Sequence, residues 1–304
     1  MAATLGQAQT LERRAAVSAG GHGEGSGASL GWTLGQTASA TYEASSEMIT
    51  AGVQQPDRVF LSLDIRVLLD GPYQQSNSLM SDGLRLAGLI PFNEPYSDLG
   101  YQGIGGGGES FPSGILVLDG PDAIVDWVWI ELRDALHPAH VVSARAALVQ
   151  RDGDVVDRDG SSAIGMSALP GEYHVAVHHR NHLPVMTAAP VALGWAVTPL
   201  DLSTGMIDTY GLDAQRLRGG RWLLWAGDVT GNGVVQYTGP GNDRDPILQA
   251  IGGLVPSATT SGYMPHDVNL DGTVKYTGQD NDRDPILQTI GGTVPTNVRM
   301  GQLP

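Results

Sequence analysis

The 304-residue chain contains no cysteine, which excludes disulfides, iron–sulfur clusters, thiolate zinc sites and cysteine nucleophiles. Lysine is almost absent as well. Of the 17 basic residues 16 are arginine, and Lys275 is the single lysine in a chain with 32 acids. A net charge of −15 offers no general basic field for nucleic acid or an anionic membrane surface. No run approaches the roughly 20 apolar residues of a membrane-crossing helix. The HExxH zinc motif and the GxSxG nucleophile motif are missing, which removes those two signatures of zinc-dependent and serine hydrolysis.

Glycine and aspartate are plentiful. Glycine fills 42 positions and aspartate supplies 24 of the 32 acids, where average glycine usage is about 7%. Together they favour turns, β structure and oxygen-ligand cation sites. A hydrophobic content of 41% suffices for a packed core.

Three parts follow along the chain. Residues 1–57 are rich in Gly, Ser, Ala and Thr. Residues 1–8 lack a basic n-region, yet Gly6-Gln7-Ala8 has the small-x-small form of a signal cleavage site, so an ordinary terminus and a signal remnant both stay open. Leu30, Trp32 and Leu34 alternate, and Met48, Thr50 and Gly52 suit a return strand, which predicts a small β-ribbon. Residues 58–226 read as strands. Val59, Leu61, Leu63, Ile65, Val67 and Leu69 share one face, with Ser62, Asp64 and Arg66 on the other, the period of a half-buried strand. Ile115–Leu118, Asp126–Arg133, Val141–Gln150 and Glu172–His179 continue the series. Asp-Gly pairs at 70–71, 82–83, 119–120, 152–153 and 159–160 mark turns between strands. The expected fold is mainly β, with an antiparallel β-sandwich body. Leu169–Val177 is similar to the last hairpin of immunoglobulin- or prealbumin-like modules, at the level of fold only.

The third part, 227–304, carries a tandem duplication. Residues 228–257 and 267–296 align at an offset of 39 with 20 identities in 30 positions and no gap. Each copy opens on an oxygen-rich loop. Asp228, Thr230 and Asn232 take positions 1, 3 and 5, followed by Gly233; Asp267, Asn269 and Asp271 are followed by Gly272. Alternate residues of a tight loop aim their oxygens at one centre, the glycine supplies the sharp turn, and the carbonyl at position 7 (Val234, Thr273) adds a ligand. Such a loop suits calcium, which takes six to eight oxygens at about 2.3–2.6 Å. Position 12 holds Gly239 or Gly278 in place of an acid, so the closing carboxylate is expected at Asp243 and Asp282. Asp245 and Asp284, each before a proline, read as N-caps of two-turn helices. Two calcium sites are expected, the first weaker because Thr230 and Asn232 bring no charge. Solvated Asx-turns are the plain alternative.

The Gly-Asp-Val-x-x-x-Gly-x-Val unit resembles the duplicated loop–helix of dockerin-type domains. Its Tyr-Thr-Gly-x-x-Asn-Asp-Arg-Asp-Pro-Ile-Leu form is similar to the C-terminal repeats of large secreted and cell-surface proteins of Bacteroidota. Ser18–Gly21, Gly52–Pro56, Gln150–Val156 and His178–His182 are similar to other segments of the same proteins. The resemblance implies an exported, calcium-stabilised protein with no attached enzymatic activity. The inserted loop, the missing acid at position 12 and the short helices depart from cellulosomal dockerins and put a cohesin partner in doubt.

Four further groups of residues bear on chemistry. Asp152, Asp154, Asp157 and Asp159 suit a further calcium site or a hairpin with solvated acids. His174 and His178 share a strand face opposite His179; with Glu172 they suit a metal, or with His182 they are hydrogen-bonded surface groups. Gly105–Gly108 lacks the Lys-Ser/Thr of a phosphate loop and reads as a mobile loop. Trp127 and Trp129 form core or, if exposed, a sugar platform. The expected role is that of a structural or adhesive surface protein, self-assembling through residues 1–57. The alternatives are a calcium-dependent docking module for a surface or secretion partner and a glycan-binding or glycan-processing protein.

Overall fold

The structure, a computed structural model, describes residues 19–25, 28–34, 40–44, 47–51 and 60–304. The expectations for residues 1–8, Ser18 and 52–57 lie outside them. The chain divides after Arg58 into two units. In the first, β1 (Ala19–Gly25) pairs with β2 (Ala28–Leu34), and β3 (Ala40–Ala44) pairs with β4 (Glu47–Ala51). The single ribbon predicted for this region is thus two hairpins, with Met48 opposite Glu43 and Thr50 opposite Thr41. Short connections make neighbouring segments pair before distant ones can.

The second unit is mainly β, with antiparallel sheets. Its strands are β5 (Phe60–Arg66), β6 (Leu68–Leu69), β7 (Tyr73–Gln74) and β8 (Leu79–Met80), then after helix α1 (Gly83–Leu86) β9 (Ile124–Asp134), β10 (Val141–Gln150), β11 (Asp154–Val156) and β12 (Ile164–Ser167). They continue with β13 (Gly171–His179), β14 (His182–Met186), β15 (Val191–Leu193), β16 (Thr198–Asp201), β17 (Gln215–Arg218) and β18 (Arg221–Leu224). The main sheet runs β12-β5-β11-β10-β9-β13-β14, with β15 on β13 and β16 on β5. Two pairings are parallel, β16 with β5 and β18 with β6, a feature that strand periodicity does not signal. In β5 the alternation holds: Leu61, Leu63 and Ile65 are fully buried while Asp64 is exposed. At the sheet's centre β9 is buried on both faces. Trp127 and Trp129 are core residues, covered by the irregular stretch 83–123 through Phe111 (5.3 Å from Trp127) and Tyr96 (5.6 Å from Trp129).

Two expectations for that irregular stretch are corrected. Ile115–Leu118 is not a strand but part of a 3-10 turn over Ser113–Val117. Ile115 is buried and Leu116 packs half-buried against the core, while Val117 is 78% exposed, so the four apolar residues do not share a buried face. Asp82-Gly83 starts α1 rather than a hairpin. The glycine run 105–108 is exposed but tied to β10, because Ile104 exchanges backbone hydrogen bonds of 3.0 and 2.9 Å with Ala144.

The duplicated region follows as β19 (Val234–Gln236), α2 (Arg244–Ala250), β20 (Thr259–Ser261), β21 (Thr273–Lys275), α3 (Arg283–Thr289) and β22 (Val298–Met300). Its two-stranded ribbons are reciprocal: β19 of the first copy pairs with β22 of the second, and β21 of the second with β20 of the first. Thr238 donates to the Pro295 carbonyl and Thr277 to the Pro256 carbonyl, both at 2.9 Å. A second apolar core, including Val229, Val235, Ile247, Val268, Val274 and Ile286, is shared by the copies and closed by Leu183 and Trp225 of the body. In return Leu270 enters the main core.

Candidate functional site

Both loops have the same internal wiring, dictated by aspartate at position 1. Asp228 accepts from the Asn232 and Gly233 amides at 3.0 and 2.9 Å. Asp267 accepts from the Asp271 and Gly272 amides at 3.1 and 2.8 Å. Position 5 closes an Asx-turn on position 7: Asn232 Oδ1 accepts from Val234 N and Asp271 Oδ1 from Thr273 N, each at 2.8 Å. Val234 and Thr273 therefore head β19 and β21. At position 3, Asn269 accepts from the Asp271 amide at 2.9 Å, and Thr230 Oγ1 donates to Asp243 at 3.1 Å.

The late acids lie inside these loops. Asp243 accepts from Thr230 N (3.1 Å) and Gln236 N (2.9 Å); Asp282 accepts from Val268 N and Lys275 N, both at 2.7 Å. Each loop thus buries two carboxylates, Asp228 with Asp243 and Asp267 with Asp282. Burial, with the neighbouring carboxylate added, raises Asp228 to about 6 and Asp282 to about 8. Burial raises Asp267 to about 6 and also raises Asp243. Among the described residues no three His, Asp or Glu side chains converge as a ready metal-holding group. The third acid of loop 2, Asp271, is turned toward Thr273 N, with Lys275 Nζ at 3.8 Å. The donors gathered are nevertheless all oxygen, the set a hard cation takes.

The cap positions require a correction. Asp243 and Asp282, not Asp245 and Asp284, precede the first helical residue of α2 and α3, and their side chains face the loops instead of the helix. Capping falls to an unpredicted pair. Asn242 Oδ1 accepts from Asp245 N (2.9 Å) while its Nδ2 donates to Asp245 Oδ2 (2.9 Å), and Asn281 with Asp284 repeats this at 3.0 and 2.8 Å. The i, i+3 spacing of a reciprocal capping box is present in Asn-Asp-Arg-Asp and is the sequence signal for it.

What fastens the repeats to the body is the β13–β14 turn, at Arg180-Asn181. The Asn181 carbonyl accepts from Gly227 N and Asp228 N at 2.9 and 3.1 Å, where loop 1 begins. Its Nδ2 donates to the Pro265 and Asp267 carbonyls at 3.0 and 2.7 Å, where loop 2 begins. Two glycines allow the same approach. A Cβ on Gly71 would overlap the Val268 carbonyl oxygen, and one on Gly83 would lie 2.8 Å from both Leu270 O and Asp271 Cα.

Behind the turn lies a buried polar network centred on Asp126. Asp126 accepts from Tyr263 (2.6 Å) and Arg180 Nε (3.0 Å), and its partner His179 lies at 3.1 Å. His182 lies 2.9 Å from His179, and its Nε2 accepts from Gly71 N at 3.1 Å. Burial opposes ionisation of Asp126, yet Arg180 and His179 hold it down at about 2. Burial lowers both His179 and His182, the latter far below its ordinary value. The histidine cluster is therefore buried, not a surface group. His174 instead meets the Thr187 carbonyl at 2.8 Å, and His178 pairs with Glu131 at 3.1 Å rather than with the exposed Glu172.

The four aspartates 152–159 do not converge either. Asp152 accepts from Asp154 N, Asp154 pairs with Arg66 (2.6 Å), Asp157 with Arg145 (2.8 Å), and Asp159 accepts from the Ser161 and Ser162 amides. Comparison with protein-family models, with curated proteins and with solved structures gives no match.

Proposed function

We propose that this chain is a non-enzymatic structural or adhesive protein of the cell exterior, whose C-terminal repeats bind two calcium ions, one per loop. The observation that carries this reading is the buried carboxylate pair, Asp228 with Asp243 and Asp267 with Asp282, built twice. Two carboxylates out of water beside each other repel and are desolvated unless a cation joins them. In loop 1 the proposed ligands are Asp228, Thr230, Asn232, Asp243 and the Val234 carbonyl. In loop 2 they are Asp267, Asn269, Asp271, Asp282 and the Thr273 carbonyl. The likeness of the repeats to dockerin-type loops supports calcium over magnesium, as does the number of protein oxygens proposed per loop, since magnesium usually takes one or two carboxylates and keeps its waters.

Calcium here acts by linkage. It binds the folded loops and not the unfolded chain, which at a hundredfold excess over Kd contributes about 2.7 kcal/mol per site. Weak sites of roughly 10⁻⁴ M would fill at millimolar extracellular calcium. The same proposal takes the β body as a sandwich-type display module and residues 1–57 as the segment for self-association. Equilibrium dialysis with radioactive calcium tests it: two ions per chain are expected, one after Asp267→Ala, and none bound at millimolar calcium refutes the reading.

A further inference from the structure

We propose that the seam between the β17–β18 hairpin and the second repeat is a binding cleft for an acidic sugar residue. The cleft measures about 490 Å³, within the range of small-ligand sites, which favour junctions between packed parts of a chain. The hairpin contributes Arg216, Leu217 and Trp222, the second repeat Gln288 and Arg299, and the buried Trp225 and the exposed Asp213 complete the lining. None of these belongs to either loop, so the site stands apart from the calcium reading.

Charge narrows the occupant. Arg299 stacks 3.6 Å from the Trp225 ring and Arg216 lies 5.7 Å from it. Arg216 commits Nη1 to Asp70 at 2.6 Å; Arg299 commits Nε to the Thr289 carbonyl at 2.8 Å and Nη1 to Asp213. The Nη2 groups of both make no hydrogen bond to a described residue, and because Arg218 shares Asp70 with Arg216 at 3.0 Å, three guanidinia (Arg216, Arg218, Arg299) meet two carboxylates (Asp70, Asp213), a local excess of one positive charge on a chain of net −15. Guanidinium N–H groups of this kind favour a carboxylate.

The shape of the lining agrees. Leu217 is 59% exposed at the cleft wall, Trp222 is half-buried with no partner for its Nε1 among the described residues, and the Gln288 amide is exposed. A uronic acid has an apolar ring face for Trp222, hydroxyls for Gln288 and Asp213, and one carboxylate for the arginines. Asp213 holds φ at +57°, a left-handed conformation uncommon outside glycine. It is held there because Trp225 Nε1 donates to its carbonyl at 2.9 Å, which fixes the position of its carboxylate at the cleft.

The test is a titration of the full chain with a uronate trisaccharide and with the neutral trisaccharide of the same linkage, at constant free calcium, read by tryptophan fluorescence and calorimetry. Expected is saturable binding of the acidic sugar, at least tenfold tighter than the neutral one and weakened by salt. Trp222→Ala and Gln288→Ala should each lose about tenfold with melting curves like the parent; if Trp222→Ala fails to fold, Gln288→Ala decides. Equal binding of the neutral sugar, no saturable binding of the acidic one, or full affinity in the folded variants overturns the proposal. A chain that binds the sugar but no calcium sinks the calcium reading and leaves this one standing.

Discussion

Removing calcium should lower the melting temperature, and by an amount that grows with pH. In chelator, Asp228 and Asp267 sit near 6 in the folded chain and Asp282 near 8, against an ordinary 3.8. Raised carboxyls favour the folded state only while protonated. Their contribution is complete below about pH 4, where both states are neutral, and is lost as pH rises through 6 and on to 8. One pKa unit corresponds to about 1.4 kcal/mol, so Asp228 and Asp267 each withdraw roughly 3 kcal/mol by pH 8. On the calcium reading proposed above, the bound ion would hold the same groups ionised and cancel the loss. Two sites at hundredfold excess add about 5 kcal/mol, or roughly 10–20 °C for a unit of this size. Calorimetry in calcium, magnesium and chelator at pH 5 and pH 8 reads the effect. The difference between calcium and chelator isolates the loops, because the buried histidines titrate alike in both. An increment that is the same at both pH values, or magnesium matching calcium, would refute the reasoning.

Asp282→Ala leaves the Val268 and Lys275 amides without their acceptor and should cost about 2–4 kcal/mol, well above Thr230→Ala, as chemical denaturation in calcium will measure. His182, held neutral by burial, contributes stability that is present above its ordinary 6.5 and lost as pH falls below it; His182→Gln should therefore move the start of acid unfolding to lower pH in a fluorescence titration. Asn181→Ala removes the donor to the Pro265 and Asp267 carbonyls, and faster limited proteolysis between body and repeats is the expected outcome. Gly71→Ala drives a methyl into the Val268 carbonyl and should lower the melting temperature by several degrees, about 1–3 kcal/mol.

Much of the sheet is legible in the sequence because its strands obey simple periods. The alternation of β5 follows from burial on one face, and in β9 Trp127 and Trp129 on one side with Val128, Ile130 and Leu132 on the other follow from burial on both. The placement of Asp243 and Asp282 inside the loops is legible too, since the duplication fixes which acids recur. Other features depend on distant partners. Ile115–Leu118 has strand-like composition, but nothing there offers it a neighbour. The histidines of β13 and its turn read as surface groups, because the acids that bury them, Asp126 and Glu131, come from β9, some 47–53 residues away along the chain. Nothing local marks Gly71 and Gly83 as contact points for a loop almost 200 residues away.

The reciprocal ribbons carry a consequence for where the molecule is fragile. Each copy completes the other's sheet, so the pair behaves as a dimer whose subunits are joined by a tether, and the tether keeps the partners at high effective concentration. A nick in the joining stretch 262–266 would leave both ribbons intact. Loss of the final strand, Val298–Met300, would instead strip the partner from Val234–Gln236. The damage would appear in loop 1, more than 60 residues upstream, while loop 2 kept its own ribbon.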